Sequence, residues 1–396
     1  MKKNILSFIV ALVAASLVYL FFAPVPINPA AWTPQAVPTR TGQYAQNSRL
    51  APVERLSLGQ GHAPEDVAVD AEGKIYAGFE DGRVIQLQPD GTQPKVFANT
   101  GGRPLGLIFD REGNLLVTDA VKGLLCVNKN GEVRLLADRA DDGVKFGSLN
   151  DLDVAADGTI YFTEASNKFP MTQHVNDLLE HQPNGRLLAF DPAKGTARTL
   201  LKGIYFANGV AVSPDQTFVL VAETGKYRVL RVRLNAAPLN STKRLETEAY
   251  NASHVDVFID NLPGFPDGIS STGNATGLAV TANAGGNSAK AASANSYSAG
   301  NFKFWLALVT PRQALFDRLL PHPFLRKVVY RLPKSLQPAP ERYSFVLALD
   351  TQGHVIENLQ NGSPDCYAQI ANVIEHNNTL YFGSIGEDTV GRFALR

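Results

Sequence analysis

Four residues of this 396-residue chain combine hard oxygen donors with a common setting. Glu65 stands in APEDVAV, Asn150 in GSLNDLDV, Asn208 in FANGVAV and Asp267 in FPDGIS, each just before a short strand-like run. Two carboxylates and two amide oxygens suit a hard cation such as Ca2+, with water or substrate completing six or seven ligands. No His or Cys takes one of these positions, which disfavours a soft or imidazole-bound metal. A cation held there would act as a Lewis acid and polarise a substrate carbonyl. A carboxylate beside it, Asp267 first and Glu65 second, would activate water or attack directly. Taken singly, each residue has a plainer reading. Asn208-Gly209 and Asp267-Gly268 are turn dipeptides, and Glu65 and Asn150 pass as solvated loop residues. The shared offset is what raises the metal reading above the turns.

For the four to meet, the chain must repeat one unit around an axis. A strand–turn–strand cassette recurs as DVAVDAEGKIYAGFEDGRVIQL (66–87), LGLIFDREGNLLVTDAVKGLLCV (105–127), DLDVAADGTIYFTEAS (151–166) and GVAVSPDQTFVLVAETGKYRVLRV (209–232). NTLYFGSIGEDTVGRFAL (378–395) closes the series. Each instance is bounded by D-x-x-G, D-G or similar turn signals. Such recurrence predicts an all-β, six-bladed β-propeller over residues 52–396, whose innermost strands share one mouth. A large β-sandwich would not repeat one cassette. Within blade 5, residues 275–300 are rich in Ala, Ser, Asn and Gly and predict a flexible insertion.

Composition narrows the classes. With 37 basic and 37 acidic residues the chain lacks the positive excess of a nucleic-acid binder, and 44% hydrophobic residues exclude a disordered chain. Two cysteines, Cys126 and Cys366, allow one disulfide at most, and Cys126 within GLLCVN reads as a buried free thiol. Ile5–Phe22 is a charge-free apolar run long enough to cross a bilayer, so residues 1–23 read as an uncleaved transmembrane signal anchor. Lys2 and Lys3 would remain cytoplasmic, placing the propeller on the periplasmic, lumenal or extracellular side. Residues 24–51, rich in Pro, Ala and Thr, read as an extended tether. The basic and apolar stretch 312–338 reads as a helix capping the propeller, with a membrane-surface helix as the alternative. His62, His174 and His181 read as loop residues near the mouth, and His376 as structural.

The segments DLDVAADGTIYFTEAS, GRLLAFDPAKGTARTLLKGIYFANGVAVSPDQTFVLVAETGKYRVLRVRL, LPGFPDGIS, RYSFVLALD and IEHNNTLYFGS follow in one order. In this the chain resembles the strictosidine synthase-like branch of the calcium-dependent six-bladed propellers, including its membrane-anchored members. Paraoxonases, diisopropylfluorophosphatase and gluconolactonase/SMP-30 proteins are similar more distantly. The resemblance implies that Glu65, Asn150, Asn208 and Asp267 hold a central Ca2+. It also shows departures. Where strictosidine synthase has a catalytic glutamate before E-H-x-x-x-L-Y, this chain has Gln369-Ile370-Ala371-Asn372, which argues against amine–aldehyde condensation. Where paraoxonases use a His pair, Asp119 stands near the first position and 138–149 holds no His.

The leading expectation is therefore a membrane-anchored, calcium-dependent hydrolase of a small ester or lactone. The alternatives are a non-hydrolytic strictosidine synthase-like enzyme, or a catalytically inactive propeller that binds a partner.

Overall fold

The computed structural model describes residues 2–234, 254–272 and 302–395. The stretch 275–300, expected to be a flexible insertion, lies outside them. Six four-stranded antiparallel sheets follow in chain order. Their inner strands are Val67–Val69, Pro104–Phe109, Ser148–Val154, Ala207–Val212, Gly264–Ser271 and Ile370–His376. Each inner strand touches the next, and the sixth returns to the first, which closes the ring. This is the six-bladed propeller expected from the cassettes.

Blade 6 is completed from the other end of the chain. Glu54–Ser57 pairs with Thr389–Ala394 in the register Glu54↔Arg392 to Ser57↔Thr389. The ring therefore has no open inter-blade seam, and its one chain-end joint is hydrogen-bonded.

The alternation between apolar runs and turns follows from this layering. Middle strands such as Leu115–Asp119 and Ile160–Ser166 are buried throughout, because blades cover both faces. Outer strands such as Lys95–Asn99 and Val133–Ala137 are largely exposed. The core is thus a set of inter-blade layers; Ala68, Tyr76 and Val84 of blade 1 pack on Leu107, Leu115 and Val117 of blade 2. At the turns, Asp70 accepts the N–H groups of Glu72 (3.0 Å) and Lys74 (2.8 Å), and Gly73 adopts φ 83°. Asp350 and Gly353 repeat the device in blade 5.

Helices lie outside the sheets. Helix α1 (Lys2–Phe22) precedes the propeller, and its Asn4–Phe22 portion is long and apolar enough to cross a membrane. Helix α2 (His174–Glu180) joins the second and third strands of blade 3. Helices α3 (Ala314–Leu319) and α4 (Pro323–Arg331) occupy the same place in blade 5. In a propeller these second-to-third-strand connections share one end with the starts of the inner strands. The three helices therefore cap the mouth.

The segment read as a tether is extended, yet bound along its length. Ala30 N–H donates to Glu180 O (2.9 Å), Trp32 N–H to Leu320 O (3.2 Å) and Leu50 N–H to Gln360 O (3.0 Å). Ile27 is buried against Phe169 and Leu179. Both cysteines are buried and free.

Candidate metal centre

The inner strands do not run straight past the mouth. In blade 3 the pairing steps from Leu149↔Glu164 to Leu152↔Phe162, leaving Asn150 and Asp151 opposite one residue. Blade 4 steps from Ala207↔Glu223 to Val210↔Val221, and blade 5 from Pro266↔Leu308 to Ile269↔Leu306. Asn208-Gly209 and Asp267-Gly268 are the extra pairs. Each of these three candidate ligands thus sits in a β-bulge, which turns a side chain out of the regular alternation. Blades 2 and 6 show register shifts at Leu105 and Ala371. Around the ring the equivalent positions read Glu65, Leu105, Asn150, Asn208, Asp267 and Ala371. Four carry oxygen donors and two are apolar.

Two glycines make the bulges possible. A Cβ on Gly209 would meet the backbone of Asp267 and Gly268, and one on Gly268 would meet the Asn372 amide and Ala371 O within 2.7 Å. The inner strands approach too closely there for any side chain.

Hydroxyls on the second strands, or directly after one in the case of Thr224, fix the bulges. Thr118 Oγ1 accepts from Gly106 N–H (3.0 Å) and donates to Asn150 O (2.5 Å). Thr163 Oγ1 accepts from Asp151 N–H (3.1 Å) and donates to Asn208 O (2.6 Å). Thr224 Oγ1 donates to Pro266 O (2.6 Å) and accepts from Asn208 Nδ2 (3.2 Å). Each threonine links one blade to the next at the ring. The last also orients Asn208: Thr224 has spent its proton on Pro266 O, so the nitrogen end of the amide must face it.

All four candidates are buried. The consequence for Asn208 is an Oδ1 with no hydrogen-bond partner. A buried amide oxygen left unpaired costs about 1–3 kcal/mol, so such an atom calls for a ligand. The charges agree with that reading. Arg103 reaches Glu65 Oε2 at 3.0 Å and Ala63 O at 2.9 Å, which holds the Glu65 carboxylate in place. No lysine or arginine among the described residues pairs with Asp267. Burial, then the charges of Glu65 and Asp151, push its carboxyl well above the usual range, and the Asn208 amide offsets this only in part. Burial and the Asp151 charge raise Asp66 likewise. Ionised together, Glu65, Asp66, Asp151 and Asp267 would carry more negative charge than Arg103 balances, and a divalent cation would relieve it. Among the described residues no three His, Cys, Asp or Glu side chains form a metal-holding cluster, so such a cation would depend on the two amides.

A second tier lies one residue further along the strands, and the motif reading missed it. Asp66 Oδ2 accepts Leu107 N–H (2.6 Å), and Asp66 Oδ1 accepts Asn372 Nδ2 (2.5 Å). Asp151 Oδ2 accepts Val210 N–H (2.9 Å), and Asp153 Oδ2 accepts Val212 N–H (2.7 Å). These carboxylates tie neighbouring inner strands together. They line a channel cavity of about 40 Å³ beyond the ring, room for a few waters. The signal in sequence was the acidic residue directly after Glu65 and after Asn150.

The mouth side carries other groups. Asp119 is fully buried; its Oδ1 accepts Val121 and Lys122 N–H groups, and its Oδ2 has no partner. Glu164 and Glu223 are paired with Arg186 and Arg228. His62 is exposed and paired with Asp388 (2.6 Å), and His174 is exposed. His181 departs from its expected role as a loop histidine. It is buried, stacked on Trp32 (4.6 Å) and against Tyr205 (4.7 Å), with Nε2 unpartnered. Burial, then Lys226 and Arg326, push its pKa down to about 2, so its ring is neutral.

Comparisons with known proteins extend this picture. Residues 150–237 match the strictosidine synthase family, and residues 42–87 match the N-terminal region of strictosidine synthase-like proteins. The chain is 32% identical to Protein STRICTOSIDINE SYNTHASE-LIKE 7 of Arabidopsis thaliana, across 100% of this chain and 95% of that one. It is 30% identical to the adipocyte plasma membrane-associated protein of Bos taurus, across 93% and 85%. Among solved structures, a gluconolactonase from Xanthomonas campestris aligns with TM-score 0.55 at 17% identity, covering 95% of this chain and 99% of its own. Regucalcin, a calcium-binding protein from Agrobacterium tumefaciens, aligns at 0.54 and 15%, covering 86% and 92%. At these identities the two structures share the propeller fold.

Proposed function

We propose, from the premise that this chain belongs to the strictosidine synthase-like family, that it is a membrane-anchored, calcium-dependent hydrolase of an ester or lactone. The observation that carries the reading is the orphaned Asn208 Oδ1 beside an Asp267 carboxyl pressed by like charges. Glu65, Asn150, Asn208 and Asp267 would hold the ion, which when bound supplies Lewis-acid polarisation of the substrate carbonyl. Arg103 keeps Glu65 oriented toward the ring, and Thr224 keeps the Asn208 oxygen free. Asp267, with which no lysine or arginine among the described residues pairs, would when ionised take the proton of an attacking water at one Oδ and return it to the leaving oxygen. Helix α1 would hold the propeller at the membrane. The Gln369–Asn372 stretch offers no carboxylate for amine–aldehyde condensation, which favours hydrolysis over the synthase reading.

The test is the melting temperature of the full chain in detergent, with calcium and with a chelator. An ion at a thousand times its Kd stabilises by about 4 kcal/mol, a shift of several degrees. The shift should vanish in Asn208→Ala, and an ester and lactone panel would follow. Equal melting with and without calcium in the wild type would overturn the metal centre, and the partner-binding reading would replace it.

A further inference from the structure

The cap over the mouth and the end of the apolar helix are one assembly. Arg331 of α4 donates through Nε to Ala23 O (2.7 Å) and through Nη1 to Leu20 O (2.7 Å), satisfying the last carbonyls of α1. Phe324 of α4 stacks on Phe21 of α1 at 5.8 Å. Past α1 the chain is buried again by Ile27, four residues beyond Ala23, and four residues span at most about 14 Å. Asn28 N–H then donates to Glu180 Oε2 (2.8 Å), and the buried Arg326 guanidinium donates to Leu179 O (2.8 Å) and to Ala30 O. The end of α1 is therefore held by α4, and the chain just past it by α2 and α4.

The same cap is built over the ring. Phe316 of α3 packs on Phe265 (5.6 Å), two residues before Asp267, and Asp317 accepts the Tyr227 hydroxyl (2.7 Å). Its outer surface is apolar and basic. Leu315, Phe324, Leu325 and Leu336 are exposed. Of the six basic residues in 312–338, Arg312 and Arg326 are buried and Arg331 is turned to the end of α1, leaving Arg318, Lys327 and Lys334 toward the outside against one acidic residue, Asp317. Asp317 is already engaged by Arg312 (2.8 Å). Exposed leucines and phenylalanine beside uncompensated arginine and lysine are what an interfacial helix presents to a lipid surface.

We propose that α3 and α4 lie in the interfacial layer of the bilayer that α1 enters, so that the propeller mouth faces that membrane. The proposal rests on α1 being a membrane anchor, as in the functional reading above. It goes beyond that reading by fixing which face of the propeller meets the lipid. A protein partner on the same patch is the competing occupant. The continuity with α1 favours lipid.

The full chain, reconstituted in phosphatidylcholine vesicles containing one-quarter phosphatidylglycerol, tests this. Spin labels would be placed by Leu325→Cys and Leu315→Cys on the cap and by Glu112→Cys in a turn at the opposite face; the two native cysteines are buried. Labels at 325 and 315 should collide several-fold more with oxygen than with an aqueous nickel chelate, and the label at 112 should show the reverse. A label at 325 as water-accessible as the one at 112, in protein that stays with the vesicles after an alkaline wash, would overturn the cap proposal alone. Loss of the protein from the vesicles in that wash would overturn the anchor reading and the proposal with it. Arg331→Leu should reduce the lipid contact at 325 while leaving the calcium-dependent melting shift in place. Unchanged contact would mean the tie to α1 does not set the orientation.

Discussion

The ring at the axis and the cap at the mouth are both buried and polar, but they are made differently. The ring is made by repetition. The same bulge, the same position after the turn and the same threonine clamp recur in successive blades, and only the residue at each position changes. The cap is made once. Trp32, His181, Tyr205, Arg312 and Arg326 come from separate parts of the chain, and none of their contacts is repeated from blade to blade. A repeated frame tolerates chemical variation at one position, because neighbouring blades hold the backbone. A frame built once depends on each of its partners.

The sharpest way to break that contrast is at the ring. Asp267→Asn preserves shape and removes the proton acceptor. On the proposed mechanism it should lower kcat by roughly 10²–10⁴-fold, the usual worth of a general base. Melting in chelator should change little, because the backbone is held by Thr224 and by the neighbouring strands. Turnover within a factor of two of wild type would remove Asp267 from the chemistry. If the variant instead failed to fold, the ring would depend on its own side chains, and the contrast with the cap would be lost.

A smaller effect is expected from the clamp itself. Thr224→Val keeps the shape, leaves Pro266 O and Asn208 Nδ2 without the hydroxyl, and costs about 1–3 kcal/mol. It also frees the Asn208 amide to turn, so the calcium concentration at half-maximal stabilisation should rise. Lower stability with unaltered calcium response would mean that Thr224 holds the blade but does not orient the amide. Thr163→Val, which leaves Asn208 O and Asp151 N–H unpaired, gives an independent comparison.

This division also decides what could be read from residues alone. The propeller was legible because strand, D-x-x-G turn and strand recur, and the ring positions were legible because they share an offset from that pattern. The bulges were not, since no local propensity separates Asn150-Asp151 in a bulge from the same pair in a straight strand. The clamps had a faint signal, a threonine beside an acidic residue closing the second strand in VTDA, FTEA and AETG. Residues 24–51 read as an extended tether because they are rich in Pro, Ala and Thr. Their partners Glu180, Arg326 and Gln360 lie far along the chain. His181 was misjudged for the same reason, because its burial depends on Trp32 and Tyr205.

An effect of similar size tests the cap through pH. His181 has a folded pKa pushed down to about 2, against roughly 6.5 when unfolded. Between those values the unfolded chain binds a proton that the folded chain refuses. The stabilisation from the neutral ring is therefore complete above pH 6.5 and declines as the pH falls. Each unit is worth about 1.4 kcal/mol, so the loss by pH 5 is about 2 kcal/mol. Asp177, whose backbone carbonyl accepts the His181 N–H, works the other way. Burial raises its carboxyl to about 6, so its contribution is lost as the pH rises through that value. The two slopes partly cancel in the wild type, and a single acid-unfolding curve would hide both. His181→Phe, which keeps an aromatic ring between Trp32 and Tyr205, should remove only the acid-side loss. The difference in unfolding free energy between wild type and variant should therefore change by about 2 kcal/mol between pH 7 and pH 5. A difference that stays constant over that range would mean that His181 is protonated in the folded protein at pH 5. The cap would then be open to water where the packing seals it.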